Sequence, residues 1–311
     1  MAAVSGSATT LSRGPRALRP GSSGAWWLAI RPRTLTASAA PIVLGTALAA
    51  ADGRFRPALA VAALATAIAL QVGSNLANDV FDFERGADGP DRVGPTRAAA
   101  AGLLSPRALR MATALAFAVA ALFGLALVVA GGWPFALAGA LAIGAAIAYT
   151  AGPWPLAYHG LGDAAAFVFF GLVAVGGSYA VQAEALPPRV LAAALPTALL
   201  VTAVLATNNL RDLDADSRAG KRTLAVRLGD RHARIYLEAL LLSPHVVVSV
   251  LVALGVVPLA ALVVWITAPL AFRIARSVRS ERDPRGLDAL LARCAGLHAV
   301  FTLLLAGASL A

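Results

Sequence analysis

Residues 109–130 decide the class of protein, since they read LRMATALAFAVAALFGLALVVA with a single charge at Arg110. A helix needs about 20 largely apolar residues to cross a hydrocarbon core of ~30 Å. The chain has nine such stretches, which we place at 34–51, 57–77, 109–130, 134–151, 162–183, 190–207, 235–253, 255–272 and 293–310. None alternates apolar and polar residues with a period of two, so the pattern predicts helices and not the strands of a lipid-facing barrel.

The composition points the same way. Of 311 residues, 59% are hydrophobic and only 14% are charged, whereas a soluble domain carries roughly 25% charged residues. These values exclude a soluble globular domain, a disordered chain and a coiled coil. The single cysteine, Cys294, excludes an intramolecular disulfide and a cysteine metal cluster. We therefore predict an all-α integral membrane protein with a nine-helix transmembrane bundle.

The basic residues are distributed very unevenly between the predicted loops. Of 26 basic residues, 23 lie in the N-terminal segment and in the loops after the second, sixth and eighth spans, against Arg54, Arg56 and Arg189 elsewhere. The positive-inside rule then predicts a cytoplasmic N-terminus, cytoplasmic even-numbered loops and an outside C-terminus. We expect the membrane to be the plasma membrane. The net charge of +10 thus reflects the topology of the chain, and the basic residues are also attracted to the anionic headgroups of the lipid bilayer. Nucleic-acid binding is not expected. We expect residues 1–25 to form a flexible basic cytoplasmic tail and residues 26–311 to form one membrane domain.

Acidic residues form two clusters, one after the second span and one after the sixth. They are Asp79, Asp82, Glu84, Asp88 and Asp91, and Asp212, Asp214, Asp216 and Asp230. Because four spans separate the clusters, both should open on the same face of the membrane.

The spacing within each cluster predicts which side chains share a helical face. Asn78 and Asp82 are four residues apart, as are Asp212 and Asp216, and Asp79 lies three residues before Asp82. Carboxylates placed in this way repel each other unless a cation lies between them. Magnesium binds carboxylate oxygens together with the phosphate oxygens of a substrate. The two clusters therefore predict a clamp for a metal–diphosphate group.

Other charged residues in these loops have simpler interpretations. We interpret Glu84, Asp91 and Asp230 as solvated loop acids that neutralise nearby arginines. The basic residues between the acids could contact phosphate directly, an arginine through its planar guanidinium group. The candidates for binding diphosphate are Arg97, Lys221 and Arg222.

These two clusters resemble the motifs of the UbiA superfamily of membrane prenyltransferases. The superfamily has N-x-x-x-D-x-x-x-D and D-x-x-x-D after helices 2 and 6 of a nine-helix bundle. Asn78 and Asp82 match the first motif, but Gly86 stands where many relatives have a third acid, so Asp88 is the candidate to replace it. Asp212 and Asp216 match the second. The resemblance implies Mg²⁺ as cofactor, and the candidate ligands are Asn78, Asp79, Asp82, Asp88, Asp212 and Asp216.

Longer segments are similar to one branch of this superfamily, the 1,4-dihydroxy-2-naphthoate polyprenyltransferases of menaquinone synthesis. They include GPWPLAYHGLGD at 152–163, NNLRD at 208–212 and AGKRTLAVRLG at 219–229. The resemblance implies transfer of a polyprenyl group from an all-trans polyprenyl diphosphate to 1,4-dihydroxy-2-naphthoate, with decarboxylation to demethylmenaquinol. Asp163 departs from the pattern, since relatives often have Glu at this place.

Asp163 and Tyr149 are the candidates to orient or deprotonate the aromatic acceptor, since both lie near the cytoplasmic ends of the fourth and fifth spans. Each also has a structural interpretation: Tyr149 as an interfacial aromatic residue and Asp163 as a charge at a helix N-terminus. The chemistry requires no protein nucleophile. Consistently, the sequence contains no G-x-S-x-G, no zinc-spaced histidine pair and no P-loop.

Three alternatives stay open at this stage. CDP-alcohol phosphatidyltransferases also have acidic motifs in membrane helices, but their acids lie in one continuous stretch. A transporter would favour charges within broken helices near mid-membrane, whereas here the acids concentrate on one face. A UbiA-type enzyme could also use homogentisate or 4-hydroxybenzoate as acceptor, although the segment at 152–163 favours naphthoate.

Overall fold

The computed structural model describes residues 18–86 and 96–311, and within them the chain is helical with no strand. The helices are α1 (Ser23–Ile30), α2 (Pro32–Ala51), α3 (Pro57–Glu84), α4 (Pro106–Gly131), α5 (Trp133–Ala148), α6 (Gly162–Ala183), α7 (Pro188–Arg211), α8 (Leu213–Arg218), α9 (Leu224–Ala253), α10 (Leu259–Ser280) and α11 (Pro284–Ala308). A short 3₁₀ turn at Leu156–His159 precedes α6.

Eight of these helices are long and apolar enough to cross a membrane. Each of the nine predicted stretches coincides with a helix, so the all-α, multi-span prediction is confirmed. The count of nine depends on α5, which has 16 residues and a length of about 24 Å. That is shorter than a hydrocarbon core of ~30 Å, so α5 is the one predicted span that does not reach the length of the others.

Two helix ends carry the acidic clusters. Helix α3 continues without interruption as far as Glu84, well past the predicted end of the span at residue 77. Helix α7 ends at Arg211, and Asp212, with φ −93° and ψ 8°, separates it from the short helix α8. The second cluster therefore lies on a break between two helices, with the Asp216 amide donating to the Asp212 carbonyl at 2.7 Å.

Small residues let the helices pack closely around the core. A Cβ added at Gly45 of α2 would lie 2.1 Å from Ser178 Oγ of α6, and one at Gly171 would lie 2.2 Å from the Ala198 Cβ of α7. Close backbone approach of this kind is typical of packed membrane helices. Residues Ala166–Val173 of α6 form a π-helical segment, a distortion often found at functional sites.

Candidate active site

A cavity of about 830 Å³ is lined by residues of helices α1 to α8 and of α11. Its apolar walls include Leu70, Leu127, Phe135, Phe169 and Val204. Many of its polar residues lie at the C-terminal ends of α3 and α7 and in the segments that follow α3, α5 and α7. They include Asn78, Asp82, Arg97, Tyr149, Asn208, Asn209, Asp212, Asp216 and Lys221. The cavity therefore joins an apolar chamber to a polar mouth, and both acidic clusters contribute to that mouth.

Asp82 is held between two cations from different loops. Its Oδ2 accepts from Arg97 Nη2 at 2.9 Å, its Oδ1 accepts from Lys221 Nζ at 3.0 Å, and its side chain is 3% exposed. Burial disfavours the charged form of Lys221, but the negative charges of Asp82 and Asp216 outweigh burial and hold the pKa of Lys221 above its usual value. The contact of Lys221 with Asp82 joins the two loops that carry the acidic motifs.

Asp212 is paired with its neighbour Arg211, whose side chain is fully buried. Arg211 donates from Nε to Oδ1 of Asp212 at 2.8 Å and from Nη2 to Oδ2 at 2.6 Å. Its Nη1 reaches Asp288 of α11 at 2.7 Å, and its Nη2 also donates to the side-chain oxygen of Asn208 at 2.8 Å. Arg211 thus fixes the helix break against the last helix and orients an amide that lines the cavity.

Asn78 and Asp79 face different surroundings. Asn78 lines the cavity, and its Oδ1 accepts from Thr150 Oγ1 at 3.1 Å. Asp79 is turned by about 100° from Asn78 around the helix and does not line the cavity. Its two carboxylate oxygens accept from the backbone amides of Ala98 and Ala99, each at 3.0 Å. Asp79 therefore holds the turn that follows Arg97, a role that its spacing from Asp82 did not reveal.

The remaining candidates divide between the cavity and its surroundings. Tyr149 lines the cavity. Asp163 does not: it is 4% exposed, accepts from Asn209 Nδ2 at 2.9 Å and is hydrogen-bonded to Tyr236. Arg222 lies in a second, smaller pocket. The predicted ligand Asp88 lies outside the described residues.

Sequence reasoning missed several residues that shape the site. Asp288 and Thr150 have no motif of their own, because their partners Arg211 and Asn78 lie in distant parts of the sequence. Asn208, Asn209 and Arg211 belong to the segment NNLRD, which ends at the motif residue Asp212, so their closeness to that motif could have identified them.

The donor chemistry of the mouth fits a hard divalent cation. Four carboxylates, those of Asp82, Asp212, Asp216 and Asp288, and the side-chain amide of Asn78 line one cavity. Oxygen donors of this kind suit Mg²⁺. Across the two described ranges, no three His, Cys, Asp or Glu side chains come close enough to enclose an ion. The donors are therefore of the right type and surround one space without being gathered at a single point.

Comparison with known proteins gives a consistent picture. The sequence model of the UbiA prenyltransferase family matches residues 38–297. The 1,4-dihydroxy-2-naphthoate octaprenyltransferase of Escherichia coli K12 is 41% identical over 275 residues, which cover 86% of this chain and 89% of the relative. The enzyme of the same name from Mycobacterium tuberculosis H37Rv is 42% identical over 284 residues, covering 91% and 96%.

Solved structures agree with the fold. A UbiA homologue from Archaeoglobus fulgidus, solved with DMAPP and Mg²⁺ bound, superposes with a TM-score of 0.64 at 15% identity, covering 91% of this chain and 99% of that one. At that identity the likeness shows a shared fold.

Proposed function

Since the chain belongs to the UbiA prenyltransferase family, we propose that it transfers a polyprenyl group from an all-trans polyprenyl diphosphate to 1,4-dihydroxy-2-naphthoate. In this reaction the acceptor loses its carboxylate and becomes demethylmenaquinol. The observation that carries the proposal is the single cavity that joins an apolar chamber to a mouth lined by both acidic clusters. The relatives named above support the choice of acceptor.

The polar mouth suits a diphosphate group. Arg97 and Lys221 lie at the mouth and present cationic nitrogens, which a diphosphate would share with Asp82. Mg²⁺, held by Asn78, Asp82, Asp212 and Asp216, would add positive charge against the leaving diphosphate. We leave Asp79 out of this set because it does not line the cavity and its carboxylate instead accepts from the backbone amides of Ala98 and Ala99. Asp88 stays a prediction from the sequence.

The apolar chamber suits the isoprenoid chain. Its walls from α4, α5 and α6 present aliphatic and aromatic side chains such as Leu127, Phe135 and Phe169. Excluding water there protects an allylic cation from hydrolysis, because no competing nucleophile reaches it. The apolar character of the chamber thus supports our proposal that the isoprenoid tail binds there.

The transfer needs no nucleophile from the protein. The allylic C1–O bond breaks, and its electron pair leaves with the diphosphate. The electron-rich ring then attacks C1 through its carboxylate-bearing carbon, and loss of carbon dioxide returns the electron pair to the ring. Tyr149 and Asn209 line the cavity where the ring must bind, and Asp163 fixes Asn209 from behind. Asp163 is therefore proposed as a positioning residue.

The charge distribution supports a cytoplasmic location for the mouth. The protein is a multi-pass membrane protein, and the loops that carry Asp82, Asp212 and Lys221 are the arginine-rich ones. We propose that they face the cytoplasm at the plasma membrane, with the C-terminus outside. A water-soluble aromatic acid and the released diphosphate would then enter and leave on the cytoplasmic side.

The test is an assay of purified protein in detergent with an all-trans polyprenyl diphosphate, Mg²⁺ and 1,4-dihydroxy-2-naphthoate, with the product followed by mass. We expect a prenylated, decarboxylated product that disappears with EDTA and returns with added Mg²⁺. Asp212→Asn should lower kcat by about 100-fold or more, the scale set by removing one group that stabilises charge in a transition state. Asp214→Asn is the matched control, because Asp214 lies two residues further on, is exposed on α8 and does not line the cavity.

Other outcomes would contradict the proposal in distinct ways. Product formed only from 4-hydroxybenzoate or homogentisate would keep the prenyl transfer and reject the acceptor. Equal activity of the Asp212→Asn and Asp214→Asn variants would reject the role of the second cluster. Uptake of a solute into vesicles without chemical change would favour a transporter.

A further inference from the structure

A second pocket of about 460 Å³ opens beside the cavity mouth. It is formed by the residue that follows α3, by the loop before α6 and by the segment before and into α9. We call it the outer pocket, and its walls include Arg85, Tyr158, His159, Arg222 and Arg227. Nothing in the reaction described so far uses it.

The outer pocket is strongly positive. Three arginines line it, and no acidic residue does. In the parts of the chain that the structure describes, these arginines form no ion pair with a carboxylate: Arg85 donates to the Gly152 carbonyl, and Arg227 Nε donates to the Arg222 carbonyl at 3.2 Å. Guanidinium groups in this state attract carboxylate or phosphate oxygens.

The same pocket presents an aromatic surface. The Tyr158 ring has the Arg85 guanidinium carbon 5.4 Å from its centroid and Lys221 Nζ at 5.5 Å. Beside it, the ring of Trp154 stacks on that of His159 with centroids 4.2 Å apart. Flat rings and cations arranged in this way favour a planar aromatic anion over a simple inorganic one.

Lys221 connects the outer pocket to the cavity. Its ammonium group lies over Tyr158, which lines the outer pocket, and also pairs with Asp82 inside the mouth. The peptide amide of the next residue, Arg222, donates to the Tyr158 carbonyl at 3.3 Å, so the two walls are tied together. A ligand in the outer pocket would therefore lie against the residues that form the rim of the mouth.

We propose that the outer pocket is a docking subsite for the aromatic carboxylate acceptor, with the carboxylate on Arg222 and Arg227 and the ring against Tyr158. The inference rests on the proposed function, since it concerns how the acceptor reaches the cavity. A prenyl diphosphate fits this pocket poorly, because its tail requires the apolar chamber. A positive docking subsite raises the local concentration of an anionic acceptor and hence its rate of entry.

The test uses Arg222→Gln, Arg227→Gln and the double variant in neutral detergent, with steady-state kinetics for both substrates. Arg276→Gln is the control, because Arg276 is an exposed arginine of α10 outside both pockets. We expect the double variant to raise the KM for the naphthoate by about tenfold, the scale of losing charge-assisted hydrogen bonds at an open site. The kcat at saturating acceptor and the KM for the prenyl diphosphate should stay within about twofold of the wild type, because the reacting groups lie inside the cavity.

A binding measurement separates docking from catalysis. Fluorescence titration with 1-hydroxy-2-naphthoate should show weaker binding to the double variant, whereas 1-naphthol, which lacks the carboxylate, should bind both proteins alike. An unchanged acceptor KM in a folded double variant would overturn the inference. A change confined to the inhibition constant of pyrophosphate would also overturn it, because it would indicate an exit site for diphosphate. A change in acceptor KM seen only in anionic lipid vesicles would overturn it as well, because it would indicate a site for lipid headgroups. Failure of the wild type to make any prenylated product would instead reject the proposed function.

Discussion

We assign Asp82 a structural and a catalytic role, and one set of variants can distinguish them. Its carboxylate neutralises Arg97 and Lys221 in a buried cluster, and we propose that it also binds the metal–diphosphate group. Asp82→Asn keeps the size of the side chain but removes the charge. Both cations then stay buried without that partner, so we expect a loss of stability.

The size of the expected loss of stability follows from the burial of the three charged side chains. The side chains of Asp82 and Arg97 are 3% and 6% exposed, and that of Lys221 is 9% exposed. Removing one partner of a buried ion pair costs about 3–5 kcal/mol; because an asparagine oxygen can still accept one hydrogen bond, we expect about 3 kcal/mol here. Activity should fall by about 100-fold or more, on the scale of removing one charge-stabilising group.

The double variant Asp82→Asn with Lys221→Met provides the critical comparison. It removes a buried cation together with the lost carboxylate, so thermal stability in detergent should return most of the way to that of the wild type. Activity should stay low, because methionine supplies no charge to a diphosphate and asparagine supplies none to a metal. The measurements are a thermal unfolding curve and the product assay on the same preparations. If activity returned together with stability, Asp82 would serve only to neutralise Lys221, and the proposed metal–diphosphate clamp would be refuted.

Two further predictions concern the acceptor and the prenyl chain. Asp163→Ala should leave Asn209 without its acceptor and lower kcat/KM for the naphthoate by about tenfold or more. Asp163→Asn keeps an acceptor oxygen, so it should lower kcat/KM only a few-fold. Equal and complete loss of activity in both folded variants would assign the carboxylate itself to the chemistry. Gly139→Leu should place a side chain in the cavity, since Gly139 lines it and an added Cβ meets no atom within 4 Å. We expect a preference for shorter prenyl diphosphates, measured as a ratio of kcat/KM values. The control is Gly144→Leu, because Gly144 is exposed on the same helix and does not line the cavity. The same change in chain-length preference in both variants would contradict the assignment of the cavity to the prenyl chain.

Much of the fold could be predicted from the sequence because its signals are local. Apolar stretches of membrane length are visible without knowledge of any contact, and each of them became a helix. The placement of both acidic clusters at the cavity mouth also followed from local facts: each comes at the end of a span, and an even number of spans separates them. The shortness of α5 was less visible, because its apolar run continues beyond the last helical residue.

The individual site residues depended on contacts that spacing does not encode. Asp79 and Asp82 are three residues apart on one helix, yet Asp79 binds the backbone of a turn about 20 residues later while Asp82 pairs with Lys221, 139 residues away. Arg222 directly follows Lys221, but the loop turns it into the outer pocket. Adjacent residues thus take different roles according to which distant segment packs against each of them.

The sequence by itself therefore determined the membrane class, the helical architecture and the positions of the two acidic motifs at the ends of spans, since hydropathy and spacing are properties of short segments. Only the tertiary structure decided which charged groups face the cavity, which hold a turn and which pair with a residue of another segment. Asp82 paired with Lys221 and Asp163 bound to Asn209 are such cases. The physical reason is that a buried charge takes its role from its partners, and those partners are brought together only when the helices pack.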